Sequence, residues 1–400
     1  TLICAWANPR QSTLADAVTA AAGKELVITE NTVVASNTTV SGCSVKFIFP
    51  GNIDPSTGIA VTFSPKSFRG CFNCFDSTAA GTFAGTFAGQ DLSVDMFGGG
   101  ADSNAATNLL AMERIRDICI VRDGGSIGIE AGELDSTGLD IQRSNIWVRG
   151  TSSGGLYSAA QQSPATVINI TSGVYGLFIH PSVDPLLGTA DDRALFCGIE
   201  NIRLKSGVNT EYGIVLAEGG FTLRNVSVEG FINGVVNAAF NVDCKYENCS
   251  FSGNKIGFAI TESNSSVWDF MHPNLSKDDV GFYGSTTHTF INCKFRQNDI
   301  GFLLRYGTTI NFNNCVFESN RQAGFFAWVA ENFYGSKVTF RECWWEGNYI
   351  EDHSSGDDFR EYVITGITKA NPAVVTSPSH GFSNGDLITI TEVLGMTEIN

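Results

Sequence analysis

Charge is scarce in this chain of 400 residues. Only 16% of the residues are Asp, Glu, Lys or Arg, and 25 basic residues face 41 acidic ones, a formal charge of −16. Low charge combined with 11% aromatic residues excludes a disordered chain. The shortage of Lys and Arg excludes a general nucleic-acid binder, whose phosphate contacts need clustered cations. The Ala/Glu/Lys/Leu bias of coiled coils and helical bundles is absent too. No run of about 18 apolar residues exists, so no membrane insertion is expected. The Gly98-Gly99-Gly100 stretch is not followed by Lys and Ser or Thr, so it is not a phosphate loop. The chain begins Thr1-Leu2-Ile3-Cys4 without Met or a basic, signal-like start, as expected of a fragment or a processed product. Eleven cysteines leave at least one thiol unpaired. Cys71-Phe72-Asn73-Cys74 has zinc-knuckle spacing, but no second pair at ligand spacing follows; no metal or cofactor is expected, and buried thiols are.

What is present is apolar mass and glycine: 43% hydrophobic residues, 29 Phe and 43 Gly. Length alone suggests two or three domains, but internal repeats override that count. Asn225-Val226-Ser-Val228, Asn248-Cys249-Ser-Phe251, Asn292-Cys293-Lys-Phe295 and Asn314-Cys315-Val-Phe317 are copies of one pattern. Asn201-Ile202-Arg-Leu204 and Asn145-Ile146-Trp-Val148 extend it backwards, and Glu342-Cys343-Trp-Trp345 forwards. The steps from Asn201 are 24, 23, 44 and 22 residues. The step of 44 reads as two turns, with Trp268 and Met271 in a degenerate middle one. Three positions before the Cys column stand Leu223, Tyr246, Phe290, Phe312 and Phe340. Farther on comes Gly plus an apolar pair: Gly213-Ile214, Gly234-Val235, Gly257-Phe258, Gly281-Phe282, Gly301-Phe302 and Gly324-Phe325.

Alternation within each short run turns one face inward. One turn cannot bury that face alone; stacking about eight turns at roughly 4.8 Å each makes a continuous core. The Asn column fits a tight bend, where Asn tolerates a left-handed backbone and its amide can bond the next Asn in the stack. Cys is small enough to pack beside stacked rings, so a thiol column is expected, Cys244 and Cys249 being the pair nearest to a disulfide. The expected fold class is all-β: a right-handed parallel β-helix (solenoid) over 111–362, with a small mixed N-terminal domain over 1–110 and the start of an incomplete C-terminal β-module over 363–400.

The repeats at about 115–350 resemble those of pectate lyases and of phage tailspikes. The N-terminal segment resembles that of pectate-lyase-like tailspikes: a helix capped by Ser12 or Thr13, a Leu26-Val27-Ile28 strand, then Phe47-Ile48-Phe49-Pro50-Gly51 and Gly58-Ile59-Ala60-Val61 turns. Val94-Asp-Met-Phe97-Gly98…Asp102…Thr107 resembles that family's Phe-Gly-Ala…Asp…Thr-x-Ala element, without its Asp-Asp-Thr part. Residues 364–400, with Asn371-Pro372, His380-Gly381 and Gly385-Asp386 punctuating short strands, resemble a small β-module of phage tail proteins and of ubiquitin-activating enzymes. That module is expected to continue past Asn400.

The chemistry should lie on outward columns. One reads Trp147, Arg203, Ser227, Ser250, His272, Lys294, Val316, Trp344; the next reads Arg149, Lys205, Glu229, Ser252, Asn274, Arg296, Glu318, Glu346. Glu318 and Glu346 fall one turn apart, roughly 5 Å if stacked. Like charges that close drive two carboxyls toward different pKa values, giving an acid and a base. Retaining glycosidases hold their carboxyls about 5–5.5 Å apart. These two are the catalytic candidates, with Arg296, Lys294, Trp344 and His272 as substrate binders. Asp184, Asp191 and Asp192 lie in a long step that reads as protruding loops. Asp191-Asp192 is similar to the paired aspartates of polygalacturonases, but their Gly-His-Gly and Arg-x-Lys partners are absent. A third outward column, Val215, Val236, Ala259, Tyr283, Leu303 and Phe326, is apolar and is expected to be covered by another subunit. The resemblance implies a phage tailspike: a homotrimer on the virion, joined to other phage tail proteins, that binds host-surface polysaccharide and in its enzymatic version depolymerises it. A non-catalytic virion adhesion protein and a secreted bacterial polysaccharide lyase are the alternatives.

Overall fold

The computed structural model describes residues 2–4, 7–11, 13–76, 79–142, 144–151, 165–180, 194–208, 210–217, 219–237, 243–260, 287–304, 308–327, 337–348, 365–368 and 374–377. The chain forms two compact units, Thr1–Tyr349 and Ile350–Asn400. In the second, Gly366–Ile367 pairs antiparallel with Val375–Thr376.

In the first unit, Thr13 caps the helix Leu14–Ala20 by accepting from the Asp16 amide at 3.1 Å, as the sequence indicates. Parallel stacking follows at once. Glu25–Ile28, Ser44–Phe47 and Ser67–Arg69 form one ladder, Thr32–Val34 and Ile53–Pro55 a second, and Thr38–Ser41, Ala60–Ser64 and Thr82–Ala84 a third. The solenoid winding is therefore already present within the segment read as an N-terminal domain. Phe47, Phe63, Phe68, Phe75 and Phe87 fill its centre. The helix Ala105–Val121, capped by Asn104, buries Ala111, Met112, Ile115, Ile118 and Cys119 against the strands that precede and follow it.

From Gly125 the chain winds around three faces. The first strip stacks Gly125–Ile129, Ile146–Gly150, 194–200, 219–224, Cys244–Glu247, Thr287–Ile291, Thr309–Asn313 and Lys337–Arg341. The second stacks Gly132–Ser136, Thr166–Ile170, 202–206, 226–229, Ser250–Ser252, Lys294–Arg296, Val316–Glu318 and Trp344–Glu346. The third runs from Leu139–Ile141 to Ala323–Ala327. All these pairings are parallel, so the expected all-β parallel β-helix is the fold.

The core is three aromatic columns. Tyr246, Phe290, Phe312 and Phe340 stack from the first strip, with centroids 4.4, 4.9 and 5.0 Å apart. Phe295, Phe317 and Trp345 stack from the second at 4.8 and 4.2 Å, and Phe258, Phe302 and Phe325 from the third at 5.4 and 5.5 Å. Columns meet edge to face, as at Phe302–Phe312, 5.1 Å and 88°. Ring separations of this size follow from the strand spacing, so each rung adds rings at favourable geometry in both directions.

The bends between first and second strips carry the expected asparagines. Asn201, Asn225, Asn248, Asn292 and Asn314 have φ of 58, 53, 54, 55 and 52°. Asn225 donates its amide to Asn201 at 2.8 Å, Asn292 to Asn248 at 3.1 Å and Asn314 to Asn292 at 2.8 Å. After each later bend the thiol of Cys249, Cys293, Cys315 or Cys343 donates to the carbonyl two residues earlier, at 3.3–3.5 Å. No disulfide joins Cys244 to Cys249.

Two expectations about register are corrected. Tyr246 pairs directly with Phe290 and Ser250 with Lys294, so the 44-residue step is one turn carrying an insertion, not two turns. Trp268, Met271, His272, Asn274 and Tyr283 lie outside the described residues. Asn145 immediately precedes the first-strip strand Ile146–Gly150, with Trp147 opposite Gly198 and Arg149 opposite Glu200. It is therefore not a copy of Asn201, whose strand stacks on Thr166–Ile170.

Candidate functional site

The second strip presents its outward residues in two columns. One reads Glu133, Val167, Arg203, Ser227, Ser250, Lys294, Val316, Trp344; the other reads Asp135, Asn169, Lys205, Glu229, Ser252, Arg296, Glu318, Glu346. From Arg203 and Lys205 onward the described members are those the sequence indicates. Trp147 and Arg149 belong instead to the first strip. Arg296, Glu318 and Glu346 follow one another on three successive rungs, and Lys294 lies two positions from Trp344 along its own column.

Polar contacts tie the early rungs together. Asn169 donates to Asp135 at 2.8 Å, Lys205 pairs with Glu133 at 2.8 Å, and Arg203 grips Glu229 through Nε at 3.0 Å and a terminal nitrogen at 2.5 Å. The later rungs are less satisfied. Arg296 Nε is buried with no hydrogen-bond partner. The Lys294 ammonium is pushed down by burial first and by Arg296 second, against the pull of Glu318. Trp344 is 61% exposed, and its indole N–H donates to Glu346 at 3.0 Å. The structure thus places two cations and two carboxylates on adjacent rungs of one wet face, with an exposed indole at the end.

Beside this face runs an open groove of about 380 Å³, lined by Asn169, Lys205, Ser206, Gly207, Glu229, Gly230, Ser252, Gly253 and Gln297. It crosses five successive rungs, a length of about 19 Å at the strand spacing. Short side chains keep its floor low. Gly230 has φ 80°, and a Cβ there would meet the Ser206 carbonyl oxygen at 2.3 Å, so the groove bottom requires glycine at that turn.

The apolar third-strip column behaves differently from expectation. Val215, Val236, Ala259 and Leu303 are only 3, 2, 2 and 5% exposed within the single chain, packed with Phe178, Tyr212 and Ile300. They need no second subunit to leave water. Phe326, at 45% exposed, is the described member of that column that stays open.

Three arrangements were not read from the sequence. The first is an interior asparagine ladder. Asn254, Asn298 and Asn320 are 4, 0 and 0% exposed, and each amide nitrogen bonds the Oδ1 of the next, at 3.3, 3.1 and, to Asn348, 2.8 Å. Each member stands five residues after a column cysteine, a signal the sequence did contain. The second is an ion-pair ladder on the first strip: Arg149–Glu200 3.7 Å, Arg224–Glu200 3.4 Å, Arg224–Glu247 3.1 Å and Lys245–Glu247 2.6 Å. The third is His180, whose Nε2 lies 2.8 Å from Asp140 Oδ1 while the ring stacks on Phe178 at 4.1 Å. Burial, the largest influence, raises the Asp140 carboxyl, but the hydrogen bond and charge of His180, the Gln142 bond and the Arg116 charge together hold the group low. Forty residues separate the pair, and only the pairing of Leu139–Ile141 with Tyr175–Ile179 brings them together. Among the described residues no three of His, Cys, Asp and Glu gather as a metal site.

Residues 197–366 match the model of a family described as the right handed beta helix region. With the parallel ladders above, that match makes the chain an all-β protein with a right-handed parallel β-helix. Solved structures of similar shape include the A-module of the Azotobacter vinelandii mannuronan C-5 epimerase AlgE4 (14% identity, 65% of this chain and 79% of that one, TM-score 0.34). Another is ORF18 of Geobacillus virus E2 (16% identity, 64% of this chain and 61% of that one, TM-score 0.32). A third is the AlgE6 A-module from Azotobacter vinelandii (15% identity, 64% and 80%, TM-score 0.31).

Proposed function

We propose that this β-helix binds a linear polysaccharide along its second strip, as the tailspike of a phage engaging host-surface polysaccharide. The observation that carries the reading is the groove. It is open and parallel to the solenoid axis. Its amides, hydroxyls, Lys205 and Glu229 suit the hydroxyls of a sugar chain, and about 19 Å accommodates several sugar units. A rigid β-sheet floor holds these groups in place before any ligand arrives, which cuts the ordering cost of binding.

In the finer reading, the chain bound in the groove continues past Arg296 onto Glu318 and Glu346. Those carboxylates act as the acid and base, or nucleophile, of a depolymerase, and Trp344 stacks on a sugar ring. Arg296 and Lys294 bind the ligand's polar groups. The body assembles as a trimer on the virion through the open Phe326 end of the third strip, alongside other tail proteins.

The test uses Ser252→Trp, which fills the groove from an outward position. Binding of host-surface polysaccharide, followed by calorimetry, should be lost while the unfolding temperature stays unchanged; unchanged binding would remove the groove from the argument. Incubation of the native chain with the same polysaccharide then separates the chemistries. New reducing ends lost in Glu318→Gln and Glu346→Gln support hydrolysis at the pair, and ultraviolet absorbance from an unsaturated sugar indicates elimination. Binding with neither product makes the chain an adhesion protein and overturns the catalytic assignment.

A further inference from the structure

The Cys71-Phe72-Asn73-Cys74 turn lies in the N-terminal winding, where it lines neither the groove nor the carboxylate face. It is a tight reversal: the Cys74 amide donates back to the Cys71 carbonyl at 3.3 Å, and Asn73 is left-handed at φ 49°. The turn is pinned from below, the Asn73 amide donating to the Asp95 carbonyl at 2.7 Å and the Phe75 amide to that of Met96 at 2.9 Å. Cys71 and Cys74 thus stand at the two ends of one tight turn, where the Cys71 thiol faces the carbonyls of Gly51 and Phe72 at 4.0 and 3.6 Å. The two differ in access. Cys74 is 0% exposed, while Cys71 is partly open beside Phe72, itself 52% exposed.

We propose that Cys71 and Cys74 form a thiol–disulfide exchange site, with Cys71 the attacking sulfur and Cys74 the resolving one, acting on small disulfides such as oxidised glutathione. The Cys71 thiolate attacks one sulfur of the disulfide, forming a mixed disulfide and expelling one glutathione thiolate. The expelled glutathione thiolate takes the Cys74 proton, and the Cys74 sulfur attacks the Cys71 sulfur, closing the Cys71–Cys74 bond and expelling the second glutathione as its thiolate. The protein gives up two electrons, and these reduce the glutathione disulfide.

The other described thiols lack this combination. The Cys74 donor holds the Cys71 thiol below its ordinary value, outweighing burial and Asp95. Burial pushes Cys119, Cys197 and Cys244 up to about 11 and raises Cys293 further. Cys343, the other partly open thiol, is raised by burial as well. A nucleophilic thiol needs both access and thiolate character.

The experiment treats the folded full chain with oxidised glutathione and maps the products by mass spectrometry. The native chain should form the Cys71–Cys74 disulfide, and Cys74→Ala should stop at a glutathione adduct on Cys71. Should Cys74→Ala fold poorly, alkylation of the native chain by iodoacetamide decides: Cys71 should react at least tenfold faster than Cys343, with a half-maximal rate below pH 9.0, the ordinary thiol value. An adduct on Cys343 first, or no Cys71–Cys74 bond in the native chain, overturns the assignment.

Discussion

Replacing Asn298 by Ala tests whether the interior asparagine ladder holds the solenoid together. Asn298 is fully buried and donates its amide to the Phe251 carbonyl at 3.0 Å and to Asn320 Oδ1 at 3.1 Å. Its Oδ1 accepts from the Asn254 backbone amide at 3.0 Å and from Asn254 Nδ2 at 3.3 Å. The Ala variant loses all four bonds. Asn254 Nδ2 keeps the carbonyls of Val228 and Ser252, and Asn320 Oδ1 keeps the Asn298 backbone amide. The Phe251 carbonyl stays in the ladder with Lys294–Arg296, so the group stripped of its partner is the Asn254 backbone amide. A buried polar group without its partner costs about 1–3 kcal/mol, and each of the other three bonds lost adds about 0.5–1.5 kcal/mol.

Asn292, in the outer ladder, supplies the control. It also has two side-chain neighbours in the stack, but it sits at a bend with φ 55°. Ala there is penalised mainly by the left-handed backbone, about 1–2 kcal/mol, and Gly should restore most of the loss. Gly at 298 should restore nothing. The assay is denaturant unfolding of the four variants, comparing midpoints at constant slope. Equal losses for Asn298→Ala and Asn292→Ala, or rescue by Gly at both positions, would refute the claim that the interior ladder acts by satisfying buried backbone.

The remaining predictions concern packing, charge and assembly. Gly257→Ala should destabilise by about 1–3 kcal/mol, because its Cβ would meet the Gly301 carbonyl oxygen at 2.6 Å and Asn298 Nδ2 at 2.8 Å; denaturant melts check it. Glu247 is held below its ordinary 4.5 by the Lys245 hydrogen bond first, with burial opposing and Arg224 adding to the pull. It binds fewer protons folded than unfolded, so its contribution is complete above the unfolded pKa and is lost as pH falls through the folded one. Arg224→Ala should raise the Glu247 pKa in a carboxylate NMR titration and cost under about 1 kcal/mol, since the pair is exposed. Phe326→Asp should reduce the mass seen by light scattering without changing the unfolding midpoint, whereas Leu303→Asp should unfold the chain, because Leu303 is already buried within it.

The inward columns were legible because stacking forces residue types to repeat. Phe290 over Phe312 and Cys293 over Cys315 are each selected by the same neighbours one rung away. The Asn bends were legible for the same reason, and all five second-strip bends from Asn201 to Asn314 adopt the left-handed backbone. The interior ladder escaped notice although Asn254, Asn298, Asn320 and Asn348 keep a fixed distance from the cysteines. The repeat was read through its apolar positions, and a buried amide is recognisable only once its backbone partners are placed.

Outward positions carry no such constraint, and that is where the candidate site lies. The column Asp135, Asn169, Lys205, Glu229, Ser252, Arg296, Glu318, Glu346 mixes six residue types in eight positions, because each side chain faces water and answers to its own rung. Membership in such a column depends wholly on register, and register depends on recognising insertions. The insertion after Ile260 imitates a turn in length alone, since 44 is twice 22, yet Asn248 and Asn292 bond directly at 3.1 Å. Had a full turn intervened, Ser252 and Arg296 would stand two rungs apart. The direct pairing of Ser252 with Arg296 instead brings the low serine rung against the Lys294–Arg296 rung, and it is this adjacency that lets Gln297 line the same groove as Ser252 and Gly253.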